Sequence, residues 1–97
     1  MKHFLDIKDC SLVTLQKLLK TTKELKKEVK NGHFRSDLAH KTLGLYFQKP
    51  STRTRVSFEV GMRQLGGDVI YLQSSDMGLG IRETIPDVSR VLSRYLD

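Results

Sequence analysis

The sequence predicts an α/β fold: a parallel-sheet βαβ unit with flanking helices, within a single small domain. Two observations carry this. Thr42-Leu43-Gly44-Leu45-Tyr46-Phe47 and Asp68-Val69-Ile70-Tyr71-Leu72 are apolar runs of strand length. Neither alternates strictly, which is the pattern of a parallel strand covered on both faces rather than of a half-solvated one. Between them lies a stretch with helical spacing, closed by Gly66-Gly67, so the two strands are joined by a helical crossover.

The elements follow in order. Phe4-Leu5-Asp6-Ile7 reads as a short extended lead-in or strand fragment. Asp9 or Ser11 can cap the next helix. Leu12, Leu15, Leu18, Leu19, Leu25 and Val29 recur at three- and four-residue spacing, which predicts an amphipathic helix over residues 12–30, stopped by Asn31-Gly32. Residues 32–41 are polar and read as a loop. Its His33 and His40 have no acid partner or motif around them, so they read as surface or packing residues rather than general bases. The second helix runs from residue 52 or 53 to 65, with Val56, Phe58, Val60, Met62 and Leu65 giving a broad apolar surface. Residues 73–82 form a polar, glycine-containing loop. Thr84 can cap a last helix with Pro86 in its first turn, and Val88, Val91, Leu92 and Tyr95 mark its buried face.

The stretch with chemistry is Gln48-Lys49-Pro50-Ser51-Thr52-Arg53-Thr54-Arg55, at the turn from the first strand into the second helix. A helix start presents unpaired N–H groups and the positive end of the dipole, and an anion is the natural occupant. Ser51, Thr52 and Thr54 supply hydroxyls. Arg53 and Arg55 supply guanidinium forks that can grip two phosphate oxygens at once. Together they read as a phosphate site. The plainer alternative is a helix capped by one hydroxyl with surface arginines, but a cap needs one hydroxyl and no arginine. Arg55 is expected to pair with Glu59, one helical turn on.

Composition narrows the function classes. The 97 residues are 38% hydrophobic and 29% charged, as in globular rather than disordered chains. No apolar run approaches the ~20 residues of a membrane span. The start, Met1-Lys2-His3-Phe4-Leu5-Asp6, lacks the apolar core of a secretory signal. The single Cys10 has no Cys or His at metal-ligand spacing, so no metal site is expected; no cofactor is expected either. It also fits a reducing, cytoplasmic location. The net charge of +6 is concentrated in Lys17, Lys20, Lys23, Lys26, Lys27 and Lys30. With no aromatics interleaved for base stacking, these read as a solvated helix face and not as a nucleic-acid stripe. A basic binding or assembly module without chemistry of its own is the competing class. Other phosphate motifs are absent: there is no Gly-x-x-x-x-Gly-Lys and no Gly-x-Gly-x-x-Gly, and Gly78-Leu79-Gly80 reads as loop flexibility.

Phe47-Gln48-Lys49-Pro50-Ser51-Thr52-Arg53-Thr54-Arg55-Val56-Ser57-Phe58-Glu59-Val60-Gly61-Met62, followed by Gln64-Leu65-Gly66-Gly67, resembles the carbamoyl-phosphate loop and helix of the transcarbamylases, most closely the ornithine carbamoyltransferases. The resemblance extends from Phe4-Leu5 to Arg90-Val91-Leu92-Ser93-Arg94-Tyr95. It implies carbamoyl transfer from carbamoyl phosphate to the side-chain amine of ornithine, giving citrulline and phosphate. It places Ser51, Thr52, Arg53 and Thr54 on carbamoyl phosphate, with Arg53 and Thr54 as the catalytic donors. It also implies a homotrimer or multiple of trimers, a role in arginine metabolism and a longer enzyme. In the family a strand with a further phosphate-binding arginine, a histidine-containing segment and an amino-acid-binding domain follow, so the 97 residues are expected to be the N-terminal part of the carbamoyl-phosphate-binding domain, with the ornithine site outside them. Where many relatives place Gln or His to reach a neighbouring subunit's carbamoyl phosphate, this sequence has Gly78, and Arg82 is an alternative donor. Aspartate carbamoyltransferases resemble the same core but usually carry an acidic residue at the place of Lys49 and a lysine in the loop after the second strand; residues 73–82 contain no lysine. Aspartate, putrescine and modified ornithine remain the alternative acceptors.

Overall fold

A computed structural model of the chain describes residues 2–78 and 80–97. The chain divides into two compact units, one running to His33 and the other spanning Phe34–Asp97.

In the first unit, residues 2–6 have no regular structure and Ile7–Asp9 is a single 3-10 turn. No strand fragment forms here, although Asp6 is itself extended (φ −153°, ψ 148°), and the stretch gives way to the turn at Ile7. The Asp6 carboxylate instead accepts the Lys8 N–H at 3.2 Å, a local side-chain bond that competes with strand geometry. Helix α1 spans Leu12–Lys30, the bounds its apolar spacing predicts. Ser11, rather than Asp9, is its cap: the Ser11 hydroxyl accepts the Thr14 N–H at 3.1 Å. Asn31 closes the other end, its N–H donating to carbonyls of the last turn.

The second unit contains β1 (Thr42–Phe47), α2 (Thr52–Gln64), β2 (Asp68–Gln73), the single turn α3 (Ser74–Met77) and α4 (Ile85–Leu92). Strands β1 and β2 pair in parallel, from Thr42 opposite Asp68 to Phe47 opposite Gln73. Parallel neighbours need a crossover, and α2 supplies it. The parallel βαβ unit is therefore the one the sequence predicts. Leu45 of β1 and Met62 of α2 are the buried apolar side chains among the described residues. Coverage differs between the strands: every residue of β1 is buried or half-buried, as expected of a strand covered on both faces, whereas Ile70 in β2 is 46% exposed. The apolar surface of α2 is likewise divided, with Met62 buried while Val56, Phe58 and Val60 stand exposed.

Beyond β2, the segment expected to be loop begins with α3. Thr84 caps α4 as predicted, its hydroxyl accepting the Asp87 N–H at 3.3 Å, with Pro86 in the first turn. Val88 and Leu92 are half-buried, but Val91 and Tyr95 are exposed. The helix ends at Leu92, which takes Tyr95 off the expected buried face.

Leu96 and Asp97 lie along the side of β1 away from β2. The Asp97 N–H donates to the Thr42 carbonyl at 3.0 Å, and Asp97 Oδ2 accepts the Thr42 N–H at 3.0 Å. Asp97 Oδ1 meets Lys41 Nζ at 3.1 Å. Leu96 then packs over Gly44, where any Cβ would collide with Leu96 Cδ1; this accounts for a glycine inside an otherwise apolar strand. The Thr42 N–H, followed by the Lys41 ammonium, holds the Asp97 carboxyl below its usual value of 3.8. A carboxyl depressed in the folded state stabilises fully above its unfolded pKa and loses that contribution as pH falls through the folded one. Urea midpoints of the wild-type chain should therefore drop on acidification below the ordinary aspartate range. Asp97→Asn should start lower and show a weaker pH dependence there; identical profiles for the two proteins would show that the contact carries no stability.

Candidate functional site

The turn between β1 and α2 lies just outside the carboxyl end of β1, the place where ligands bind in parallel α/β sheets. Ser51 occupies the N-cap position of α2 with φ −145° and ψ 81°. Its hydroxyl makes no capping hydrogen bond, unlike those of Ser11 on α1 and Thr84 on α4. The first backbone bond into the helix runs from the Arg55 N–H to the Ser51 carbonyl at 3.0 Å. The N–H groups of Thr52, Arg53 and Thr54 precede it and belong to the unpaired set of a helix start. Ser51 is half-buried, while Thr52, Arg53 and Thr54 are exposed. One turn thus brings together the four residues expected to bind phosphate, with three N–H groups, three hydroxyls and one guanidinium available to an anion. The capping hydrogen bond of the plainer alternative is not made, while Arg53 is exposed as that alternative expects.

Arg55 behaves differently. Its Nε donates to Glu59 Oε1 at 2.9 Å, as the four-residue spacing predicts. Its guanidinium carbon also lies 3.6 Å from the centroid of the Tyr71 ring, in β2. The hydrogen bond to Glu59 raises the Arg55 pKa above its already high ordinary value, and the Tyr71 side chain adds to the shift. Tyr71 is the residue sequence reasoning missed. Nothing local marks it, since the contact exists only once α2 has crossed to β2.

Two concavities flank the turn. A cleft of about 180 Å³ at the strand ends is lined by Phe47, Gln48, Pro50, Tyr71, Gln73, Ser74 and Ser75. A shallower groove along α2 is lined by Thr52, Arg53, Val56, Ser57, Val60, Gly61 and Gln64. The cleft lies at the strand ends, where ligands bind in such sheets, but none of Ser51, Thr52, Arg53 and Thr54 lines it; Thr52 and Arg53 line the mainly apolar groove along α2 instead.

Gly78 and Arg82 lie in the segment after α3. Gly78 has φ +58°, and a Cβ there would lie 2.5 Å from Arg82 Nε and 3.1 Å from Arg82 Cβ. Arg82 Nη2 donates to the Ser75 carbonyl at 3.1 Å. The space beside residue 78 is thus filled by the arginine, four positions on, that the missing side chain leaves room for. Leu79, read from the sequence as part of a flexible glycine loop, lies outside the described residues.

Residues 2–97 match the family model for the aspartate/ornithine carbamoyltransferase carbamoyl-phosphate-binding domain. The chain belongs to this family. It is 53% identical over its full length to an ornithine carbamoyltransferase of Caldicellulosiruptor saccharolyticus, of which it covers 32%. Among solved structures, an ornithine carbamoyltransferase from Pyrococcus furiosus superposes with a TM-score of 0.90 at 48% identity, over 95% of this chain and 29% of that one. The catalytic subunit of an aspartate transcarbamoylase from M. jannaschii superposes at 0.88 with 35% identity, over 100% of this chain and 32% of that one. The chain therefore spans about a third of the length of the relatives it matches. As in these transcarbamylases, the fold is built on a parallel βαβ unit.

The Gly78 geometry is directly testable. Gly78→Ala places a Cβ on a left-handed backbone and against Arg82, and should lower stability by about 1–2 kcal/mol in urea unfolding. A variant as stable as wild type would show that the arginine moves aside without cost.

Proposed function

We propose that this chain supplies the carbamoyl-phosphate-binding turn of an ornithine carbamoyltransferase, which transfers the carbamoyl group of carbamoyl phosphate to the side-chain amine of ornithine. The observation that carries the proposal is the uncapped first turn of α2, bearing Ser51-Thr52-Arg53-Thr54 at the carboxyl end of β1, in a member of the transcarbamylase family.

In the reaction the amine attacks the carbonyl carbon and phosphate departs. Negative charge develops on the carbamoyl oxygen and on the leaving phosphate. Fixed donors at both places, with the reactants held in line, accelerate such a step without a covalent intermediate. The N–H groups of residues 52–54, the Ser51 and Thr52 hydroxyls and the Arg53 guanidinium are assigned to the phosphate. The Thr54 hydroxyl reaches the carbamoyl oxygen. The ornithine site lies outside these 97 residues, and the active protein is proposed to be a trimer or a multiple of trimers.

Ornithine is favoured as acceptor by the relatives' names, by Lys49 and by the absence of lysine in residues 73–82. Aspartate is the second reading, supported by the likeness to the M. jannaschii aspartate enzyme. For Gly78 and Arg82, the contact with the Ser75 carbonyl supports a local role for Arg82 within its own segment.

The full-length protein should form citrulline from carbamoyl phosphate and ornithine, and Arg53→Ala should slow it by about a hundredfold or more, the usual loss for one preorganised donor to a developing anion. Undiminished turnover in Arg53→Ala would overturn the assignment of Arg53. With aspartate and ornithine both supplied, carbamoyl-aspartate in place of citrulline would overturn the choice of acceptor.

A further inference from the structure

Arg55 shares the first turn of α2 with the candidate phosphate ligands but faces elsewhere. Two residues along a helix rotate about 200° around its axis. Arg53 accordingly lines the outer groove beside Val56 and Val60, while Arg55 lies over Tyr71. Tyr71 is opposite Leu45, a buried residue of β1, and its ring lies 6.4 Å from that of Phe47, the last residue of β1. The guanidinium therefore rests on the carboxyl end of the sheet through a ring anchored to both strands.

Its charge is already answered by Glu59 at 2.9 Å. A paired guanidinium has less to offer a phosphate as an attracting charge than an unpaired one. The ion pair is partly exposed, and pairs of that kind contribute little to stability. What the contact does supply is orientation. Ser51 makes no capping bond, and Thr52, Arg53 and Thr54 are exposed, so of the first-turn side chains Arg55 is the one seen to stack on a strand residue.

We propose that Arg55 is a positioning residue: stacked on Tyr71 and held by Glu59, it sets the rotation of the first turn of α2 so that the N–H groups of residues 52–54 and the Arg53 side chain converge on one phosphate. The proposal rests on the reading of residues 51–54 as a phosphate site. Lysine keeps the charge at position 55 but has no planar fork with which to stack and pair together.

The test titrates the ¹⁵N-labelled chain with inorganic phosphate and follows its amide signals. Wild type, Arg55→Lys, Tyr71→Leu and the double variant are compared, with the Leu45 and Met62 amides reporting that each is folded. Arg55→Lys should bind phosphate about tenfold more weakly. Its amide shifts at residues 51–54 should already differ from wild type before phosphate is added, a change that simple loss of stability does not produce. Tyr71→Leu should show the same loss, and the double variant no more than either single one, since both act through one contact. An Arg55→Lys chain that is folded and binds phosphate as wild type does would overturn the proposal, as would losses that multiply in the double variant. Arg55→Lys decides the matter alone if Tyr71→Leu does not fold. A wild-type chain indifferent to phosphate would overturn the phosphate site itself, and this role with it. Wild-type binding with unaltered Arg55→Lys binding would overturn this role alone.

Discussion

The interaction on which the second unit depends is the parallel pairing of β1 with β2. Antiparallel strands can be joined by a tight turn, but parallel strands oblige the chain to travel back along the sheet before pairing. Here α2 makes the return, and its N-terminus must stand at the carboxyl end of β1. Register then decides the rest. With Phe47 opposite Gln73 and Leu45 opposite Tyr71, the ring of Tyr71 lies where the first turn of α2 passes, and Arg55 covers it. The anion site proposed at that turn would owe its place to topology before residue chemistry, with the hydroxyls and Arg53 as its proposed refinements.

Much of this was legible in the sequence because the decisive signals are local. The spacing of Leu12, Leu15, Leu18, Leu25 and Val29 gives the bounds of α1, Thr42 to Phe47 gives β1, and Thr84 with Pro86 gives the start of α4. The Arg55–Glu59 pair follows from helical spacing alone. What was not legible depends on tertiary placement. The stack on Tyr71 exists only through the crossover. The exposure of Ile70, Val56 and Val60 depends on tertiary packing that an apolar pattern does not reveal. The 3-10 turn at Ile7–Asp9 begins after the extended Asp6, whose side chain caps it by accepting the Lys8 N–H.

The candidate site divides in the same way. Residues 51–54 are contiguous, so their gathering needs only a turn at the right place. Gly78 and Arg82 illustrate the opposite case. From sequence, a glycine at position 78 is a missing side chain. In the structure it is the opening through which Arg82 reaches the Ser75 carbonyl, and a left-handed backbone that other residues enter at a cost. The two positions are therefore linked by packing.

The central claim is that the first turn of α2 is a preformed carbamoyl-phosphate site. The most direct measurement is the amide ¹H–¹⁵N spectrum of the 97-residue chain with and without carbamoyl phosphate. The account predicts dispersed signals, with selective shifts at Ser51, Thr52, Arg53 and Thr54 and little change along α1. A dispersed spectrum in which those four signals stay fixed, or move no more than the α1 lysines do, would contradict it.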